Sequence, residues 1–323
     1  MSIFDERKTY RPFEYPQVES LMYKLTDTFW THKELTFEAD KIEFHNLSES
    51  EKEVVLRSIT LIATIEVKVK DFWGQLGSHF PKPEIKELGA VASESEVRHT
   101  KSYDRLLDVL GMYDYYEKAL GNEFILGRFD YLDKYLKLSP NNSDKSKYLL
   151  KLILFSVLIE NVSLFSQFAT MMYFYRDRGI MKDIRTIIKW TSIDEQLHFN
   201  IGVMITNILR QEFPEMFTEE LQNEVHKACI KAVKHETELL NWVFEKGELP
   251  NMSKDNLSTY MKNRINESLQ TLGFETIFDN LEPNPNLDFF YEEVFADSQD
   301  DFFAVRPTDY TLKDKAITGD DLF

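Results

Sequence analysis

The chain has 323 residues with a formal net charge of −17, and 43% of them are hydrophobic, so it can bury a large core. A surface this acidic repels phosphate backbones, and we expect no nucleic-acid partner. The single cysteine, Cys229, excludes an intramolecular disulfide and a cysteine-based zinc site. With only 11 glycines and 10 prolines, the composition favours long helices over a many-stranded sheet.

Hydrophobic spacing predicts an irregular arm over residues 1–15, followed by a chain that is helical almost throughout up to residue 272. Ser48 and, three residues later, Glu51 are typical of a helix start, because each can bond the backbone of the other. Proline, glycine and asparagine-rich segments mark the breaks between helices. The predicted helices cover about residues 18–32, 49–73, 85–110, 114–138, 145–178, 181–211, 218–244 and 254–272.

The most apolar segment runs from Tyr148 to Tyr175, but Lys151 and Glu160 interrupt it. Its longest uninterrupted apolar run is far shorter than the ~20 residues that a membrane span needs. The N-terminus is polar and acidic, unlike the basic and apolar start of a signal peptide. We therefore predict a buried core helix, no membrane partner and a cytoplasmic location.

The composition changes near residue 289. Pro283 and Pro285 break the helical pattern, and the segment that follows mixes aromatic residues with acids up to the C-terminus. Such a segment has too little apolar surface to form a core of its own. We predict a helical domain over residues 1–288 and a flexible C-terminal tail over residues 289–323.

Two Glu-x-x-His motifs, Glu96 with His99 and Glu195 with His198, carry the chemistry of this sequence. Positions three apart lie on one face of a helix, so each glutamate points the same way as its histidine. A single motif of this kind is usually a surface feature, but here each one follows a glutamate inside an apolar helix, roughly 30 to 35 residues upstream. These two upstream residues are Glu66 and Glu160.

This spacing predicts a two-metal site. A chain that leaves the middle of a helix, turns and returns antiparallel regains its height after about 30 residues. Two such hairpins bring together four carboxylates and two imidazoles, the ligand set of di-iron and di-manganese proteins with a ferritin-like bundle. Burying four carboxylates without cations would be very costly. We predict an all-α, ferritin-like helical bundle with additional helices and an extended C-terminal tail.

Over nearly its whole length the sequence resembles the small subunit of class I ribonucleotide reductases. Tyr103, four residues after His99, matches the position of the family's radical tyrosine. Asp194, directly before Glu195, matches an aspartate beside the metal ligands, and Trp30 matches the tryptophan that transfers electrons. Without the resemblance, Trp30 would be interpreted as an ordinary core aromatic.

Two further positions extend the resemblance. Phe168 follows Glu160 by two helical turns, as a residue of the family's metal pocket does. Tyr310 precedes an acidic terminus that ends in a hydrophobic residue. In the family, such a tail docks on the large subunit and carries a tyrosine for radical transfer, although Tyr310 alone is one of 15 tyrosines.

The resemblance implies a function in deoxyribonucleotide synthesis, and hence in DNA replication. A dimetal centre is oxidised by dioxygen or superoxide, and the oxidising equivalent is kept on the metals or on Tyr103. It then passes through His99, Asp194, Trp30 and Tyr310 to a cysteine of the large subunit, where ribonucleotides become deoxyribonucleotides. The expected partners are this large subunit and, in a homodimer, a second copy of the chain.

Two positions depart from the best-known pattern of the family. Glu66 stands where many members have aspartate, and Lys70 follows it by one helical turn. A lysine only donates hydrogen bonds, so an ammonium beside Tyr103 would not take up its proton. The combination resembles class Id, which uses two manganese ions, superoxide and no tyrosyl radical. The alternatives are a surface role for Lys70 beside Asp71, and two iron ions or a mixed manganese/iron pair.

Three other functions remain as alternatives at this point. A ferritin-like oxidase that binds a small ligand has the same fold, but Tyr103 and the long acidic tail argue against it. A metal-storage protein usually carries one such helical repeat in about half this length. A helical scaffold would use the glutamates and histidines only structurally, and metal content would separate it from the rest.

Overall fold

The computed structural model describes residues 2–136, 144–281 and 290. In this part of the chain there are twelve α-helices, one π-helical segment and one short 3-10 turn, and no strand. The helices are α1 (Gln17–Asp27), α2 (Glu38–His45), α3 (Glu49–Gly74), α4 (Leu76–His79), α5 (Pro83–Leu110), α6 (Tyr113–Ala119), α7 (Glu123–Leu136), α8 (Lys145–Leu154), α9 (Phe165–Arg178), α10 (Lys182–Glu212), α11 (Glu219–Val243) and α12 (Lys254–Thr271). The π-helical segment, Phe155–Ser163, joins α8 to α9, and the 3-10 turn is Pro214–Met216.

Four long helical stretches form the centre of the bundle. Helices α3 and α5 pack against each other. Helix α5 also contacts α10, and α3 also contacts α9. Helices α11 and α12 cover the π-helical segment from outside, while α1 lies across α5 and α10. The all-α, ferritin-like prediction is confirmed.

Local sequence signals set the helix ends. At the start of α3, the Ser48 side chain accepts from the Glu51 backbone, and the Glu51 carboxylate accepts from the Ser48 backbone at 2.9 Å, as predicted. Helix α5 begins with Pro83, whose missing N–H is not needed in a first turn. Gly179 ends α9 in the left-handed conformation, with φ of 66°.

Two predicted helices are wrong in extent. The helix expected over residues 18–32 ends at Asp27, where the Thr28 hydroxyl bonds the Lys24 carbonyl at 2.9 Å. The chain then runs irregularly past Trp30 before α2, a helix that hydrophobic spacing did not predict. The helix expected over 114–138 is two helices, because Asn122 starts α7 by accepting from the Phe124 backbone at 2.9 Å.

Residues 145–178 are, by length and apolar composition, able to span a membrane, but 89% of the most apolar window is buried inside the protein. This stretch is the core helix that the sequence predicts. It is not α-helical throughout, because residues Phe155–Ser163 are π-helical. The π-helical segment carries Glu160, and such segments are frequent at functional sites.

Two buried arginines hold the π-helical segment. Arg128 donates to the Ser163 carbonyl and pairs with the buried Glu236 at 3.1 Å. Arg264 donates to the backbone carbonyl of Asn161 at 2.5 Å and also to its side chain. These bonds satisfy backbone carbonyls on the C-terminal side of Glu160, so they fix where this carboxylate enters the bundle.

The C-terminal tail lies outside the described residues, except for Phe290. The ring of Phe290 is fully buried, with its centroid 5.9 Å from that of Phe165 and 6.2 Å from that of Tyr260. This residue packs on the helical domain. The division of the chain at residue 288 stays a prediction, as does the role of Tyr310, which is not among the described residues.

Candidate metal centre

The four central stretches each contribute to one buried cluster of acids and imidazoles, and every member is at most 1% exposed. Helices α3, α5 and α10 and the π-helical segment all project glutamates inward. The candidate ligands are Glu66 from α3, Glu96 and His99 from α5, Glu160 from the π-helical segment, and Glu195 and His198 from α10.

The six side chains form two overlapping sets of four. Within each set, one potential ligand atom per residue lies within 4.8 Å of all the others. Glu96 and Glu195 belong to both sets, which differ in the remaining glutamate and histidine. Two neighbouring sets that share two carboxylates would hold two adjacent cations, with Glu96 and Glu195 available to both.

His99 directs its Nδ1 atom at the cluster. Its Nε2 lies 3.1 Å from Oδ2 of Asp194, and because a carboxylate only accepts, Nε2 carries a hydrogen. Nδ1 therefore faces the acids, 3.2 Å from Glu96, 3.2 Å from Glu195 and 3.5 Å from Glu66. Burial opposes a charged imidazole, but the charge of Glu66 and the contacts with Asp194 and Glu195 raise the pKa of His99 well above its usual range, so a cation at the site would replace the proton on Nδ1.

His198 also directs its Nδ1 atom at the cluster, because a neutral side chain holds its other ring nitrogen. The Ser95 hydroxyl donates to the Ala92 carbonyl at 2.7 Å, so its oxygen accepts from Nε2 of His198, also at 2.7 Å. Nδ1 of His198 then faces Glu96 at 2.8 Å and Glu195 at 3.2 Å. Both imidazoles are thus held with the ligand nitrogen inward.

The unsatisfied atoms of the cluster fit a pair of cations. Both carboxylate oxygens of Glu66 and of Glu96, one oxygen each of Glu160 and Glu195, and Nδ1 of His99 are buried without a hydrogen-bond partner among the described residues. Buried polar atoms normally have partners, and their concentration at one place requires an explanation. Carboxylate oxygens with imidazole nitrogen suit iron or manganese.

The close packing of the acids shifts their pKa values in opposite directions. Burial raises the pKa of Glu66 to about 8 and raises that of Glu160 well above its usual range. Burial also opposes ionisation of Glu195, but its close polar contacts with Glu160 and the two histidines hold its pKa well below the usual range. Protons on some of these acids therefore compete with cations for the site.

Trp30 is connected to the cluster through Asp194. The indole Nε1 donates to Oδ2 of Asp194 at 2.9 Å, and the indole ring stacks on His99 with 5.6 Å between centroids. The guanidinium of Arg98 lies 3.5 Å from the same aspartate oxygen, which balances its charge. Trp30 is only 2% exposed although it lies in an irregular segment.

Tyr103 is fully buried, and its hydroxyl donates to the Thr191 hydroxyl at 3.2 Å. Burial raises the pKa of Tyr103 well above its usual range, and the charge of Glu66 adds to this. The tyrosine thus has a neutral hydrogen-bond partner.

Phe168, expected near the metals, is fully buried on α9.

Lys70 bonds to the backbone of its own helix. Its ammonium donates to the backbone carbonyl of Val67 at 2.7 Å, at the exposed side of α3. The sequence allows an ammonium near the metals or near Tyr103, or a lysine at the surface beside Asp71. The surface position has a physical reason, because a lysine side chain can satisfy its charge there without desolvation.

Sequence reasoning missed two side chains that contact the cluster. Trp73 donates from its indole Nε1 to Oε1 of Glu160 at 2.8 Å, and Ser95 orients His198. Trp73 lies two helical turns after Glu66 on the same face of α3, and this spacing could have identified it. Ser95 lies one helical turn before His99 on the same face of α5, so the same kind of spacing could have identified it.

A four-helix core with two buried carboxylate–histidine clusters that share two glutamates defines a ferritin-like dimetal-carboxylate protein. A family model described as the small chain of ribonucleotide reductase matches residues 7–285, so the chain belongs to this family.

Relatives agree with this membership. A protein described as a probable ribonucleoside-diphosphate reductase small subunit from Invertebrate iridescent virus 3 is 28% identical over 99% of this chain and 88% of its own. The ribonucleoside-diphosphate reductase subunit beta of Halalkalibacterium halodurans is 26% identical over 90% of this chain and 84% of its own.

Solved structures share the fold. The R2 subunit of ribonucleotide reductase from Clostridium botulinum superposes with a TM-score of 0.82 at 18% identity, covering 91% of this chain and 94% of that one. The dimanganese(II) NrdF of Streptococcus sanguinis superposes with a TM-score of 0.73 at 16% identity, covering 87% and 98%.

Family membership gives the chain its function as the small subunit of ribonucleoside-diphosphate reductase, an oxidoreductase that works with a large subunit. This function is favoured over a ligand-binding oxidase or a metal-storage protein. The family and the two carboxylate–histidine clusters together support a dimetal site. Small subunits of this kind are usually homodimers.

Proposed function

We propose that the chain binds two manganese ions through the six clustered residues and that the oxidising equivalent for ribonucleotide reduction is stored on the metals. The observation that carries the proposal is the pair of buried clusters sharing Glu96 and Glu195. When bound, the metal pair supplies a one-electron oxidant to the large subunit. The protein side chains hold the ions, orient the two imidazoles and exclude water.

Two observations support manganese rather than iron as the bound metal. The donor set suits iron and manganese equally, so composition of the site does not select between them. Glu66 at the first ligand position matches class Id, and the similar S. sanguinis structure is that of a dimanganese(II) protein. Superoxide is then the activating oxidant. Dioxygen with two iron ions, or with a mixed pair, is the alternative.

Tyr103 is a bystander in this proposal. Oxidation of a tyrosine to a neutral radical requires a group that accepts its proton. The hydroxyl of Tyr103 donates to the hydroxyl of Thr191, which does not take up a proton near neutral pH. Lys70 stays a predicted participant, and a Lys70→Ala variant with unchanged metal oxidation would remove it from the proposal.

The proposed route for the oxidising equivalent runs through His99, Asp194 and Trp30. Hydrogen bonds of 3.1 and 2.9 Å connect these three side chains without a gap. Asp194 accepts hydrogen bonds from both His99 and Trp30, so it can keep the proton of either ring in place. The electron then passes between the stacked rings of His99 and Trp30. Tyr310, in a flexible tail over residues 289–323 that docks on the large subunit, continues the route.

The proposed location is the cytoplasm, with no nucleic-acid or membrane partner. The net charge of −17 and the burial of the apolar stretch over residues 145–178 support this.

Electron paramagnetic resonance tests the proposal. The chain is loaded with manganese, exposed to superoxide and measured beside an iron-loaded sample. We expect a broad multi-line signal from two coupled manganese ions with no narrow organic radical. A Tyr103→Phe variant should then retain turnover with the large subunit. A narrow tyrosyl signal in the wild type, lost in Tyr103→Phe, would overturn storage on the metals.

A further inference from the structure

The indole N–H of Trp73 donates a hydrogen bond to one of the two carboxylate oxygens of Glu160. Trp73 is fully buried on α3, and its Nε1 donates to Oε1 of Glu160 at 2.8 Å. The other oxygen, Oε2, is buried without a hydrogen-bond partner among the described residues and lies 3.6 Å from Nδ1 of His198. Oε2 therefore keeps both of its lone pairs for a cation, whereas Oε1 already shares its electron density with the indole N–H and is the weaker ligand atom.

Glu66, the counterpart of Glu160 in the other cluster, is held differently. Both of its oxygens are buried, and neither has a hydrogen-bond partner in the described part of the chain. Oε2 lies 3.5 Å from Nδ1 of His99. Glu66 thus has two oxygens free of hydrogen bonds where Glu160 has one, so the two halves of the centre are not equivalent.

The packing around Trp73 keeps the indole in place. Its ring meets that of Phe155 edge to face, with 5.5 Å between centroids and an interplanar angle of 88°, and lies 5.6 Å from the His198 ring. Gly89 on α5 allows the close helix approach here, since a Cβ at that position would lie 2.7 Å from the Trp73 carbonyl oxygen. The donor is therefore fixed before any cation binds.

We propose that Trp73 is a positioning residue that restricts Glu160 to one-oxygen coordination and so leaves a position open on the metal ion beside His198. This inference rests on the proposed function. Glu96, Glu195 and His198 complete the protein ligands of that ion with one atom each. Manganese prefers six ligands in octahedral geometry, so four protein atoms leave two positions open, one of which the second oxygen of Glu160 would otherwise fill. An open position can take a small oxygen species or an anion of similar size.

The sharpest test removes the indole N–H alone. Benzothienylalanine at position 73 replaces N–H by sulfur with the same ring shape, and Trp73→Phe is a second variant that keeps an aromatic ring. Trp242→Phe, at a tryptophan that packs on Arg57 outside the cluster, is the matched control. Each protein is loaded with manganese(II), crystallised and titrated with azide as the probe of the open position.

We expect all four proteins to bind two manganese ions. In the wild type and in Trp242→Phe, one oxygen of Glu160 should contact the metal. In both Trp73 variants both oxygens should do so, and azide affinity should fall by about twofold or more, because Glu160 then fills one of the two positions open to azide.

Two manganese ions with unchanged one-oxygen Glu160 and unchanged azide affinity in both Trp73 variants would overturn this inference and leave the proposed function standing. Failure of the wild type itself to bind two manganese ions would overturn the proposed function, and this inference with it.

Discussion

The indole nitrogen of Trp30 and the Nε2 atom of His99 both donate to one oxygen of Asp194, over 2.9 and 3.1 Å. A single acceptor atom therefore connects a candidate metal ligand to a tryptophan in an irregular segment. The bond to His99 also fixes its tautomer, so Asp194 serves both metal binding and the connection to Trp30.

Replacing Trp30 should separate these two roles. Trp30→Phe removes the indole N–H and its ease of oxidation but leaves the bond between His99 and Asp194. We expect two metal ions to remain bound, while turnover with the large subunit falls by about 100-fold or more. Metal analysis and turnover measured on the same preparation check this, with Trp242→Phe as the control. Turnover near the wild-type rate would remove Trp30 from the route.

The shared and unshared glutamates should differ in their effect on metal stoichiometry. Glu66 belongs to one cluster only, whereas Glu96 belongs to both. We expect Glu66→Gln to bind about one ion per chain and Glu96→Gln to lose most binding of both, since it removes a bridging carboxylate. Equilibrium dialysis with manganese measures the stoichiometry. Equal losses in the two variants would contradict the overlapping arrangement.

Metal affinity should increase with pH up to about 8. Burial raises the pKa of Glu66 to about 8, so below this pH the carboxyl holds a proton that a cation must displace. Each displaced proton makes the apparent affinity rise by roughly tenfold per pH unit, and the part of the rise that is due to Glu66 ends once Glu66 is ionised. Calorimetric titrations from pH 6 to 9, in two buffers of different ionisation enthalpy, count the protons released. A flat affinity between pH 6 and 8 would contradict the shift.

The raised pKa of Glu66 also affects the unfolding of the metal-free chain. A carboxyl with a higher pKa in the folded state than in the unfolded chain favours the folded state at low pH. That contribution is lost as pH rises through the folded value of about 8. Bound manganese should therefore protect the fold most strongly at the upper end of this range.

Arg128 should be important for stability because it lies in the core. Its guanidinium pairs with Glu236, and both side chains are fully buried. Arg128→Met leaves an unpaired buried carboxyl, and we expect the free energy of unfolding to fall by about 3–5 kcal/mol in urea titrations. The double variant Arg128→Met with Glu236→Leu should recover much of that loss. A single variant that loses less than about 1 kcal/mol would show that the pair is not needed.

The residues of the candidate metal site can be predicted from the sequence more completely than the helices and the π-helical segment that carry them. Recurrence of a glutamate before each Glu-x-x-His motif identifies all six clustered residues, because helical periodicity and hairpin length are local properties. The π-helical geometry around Glu160 is not local, since it depends on Arg128 and Arg264 from other helices. Periodicity alone therefore predicts a regular helix there.

The same distinction explains the misplaced end of α1. The helix ends before Trp30 because a threonine hydroxyl bonds back to the preceding turn, a competition that hydrophobic spacing does not register. For Lys70 the sequence leaves two positions open, because a place on the same face as Glu66 does not show whether the ammonium turns inward or bonds at the surface, as it does to the Val67 carbonyl.

Anomalous diffraction from crystals of the manganese-loaded chain tests the central claim most directly. We expect two peaks per chain, one among Glu66, Glu96, His99 and Glu195 and the other among Glu96, Glu160, Glu195 and His198. Nδ1 of each histidine should face its ion. A single peak, or peaks away from these six side chains, would contradict the dimetal centre.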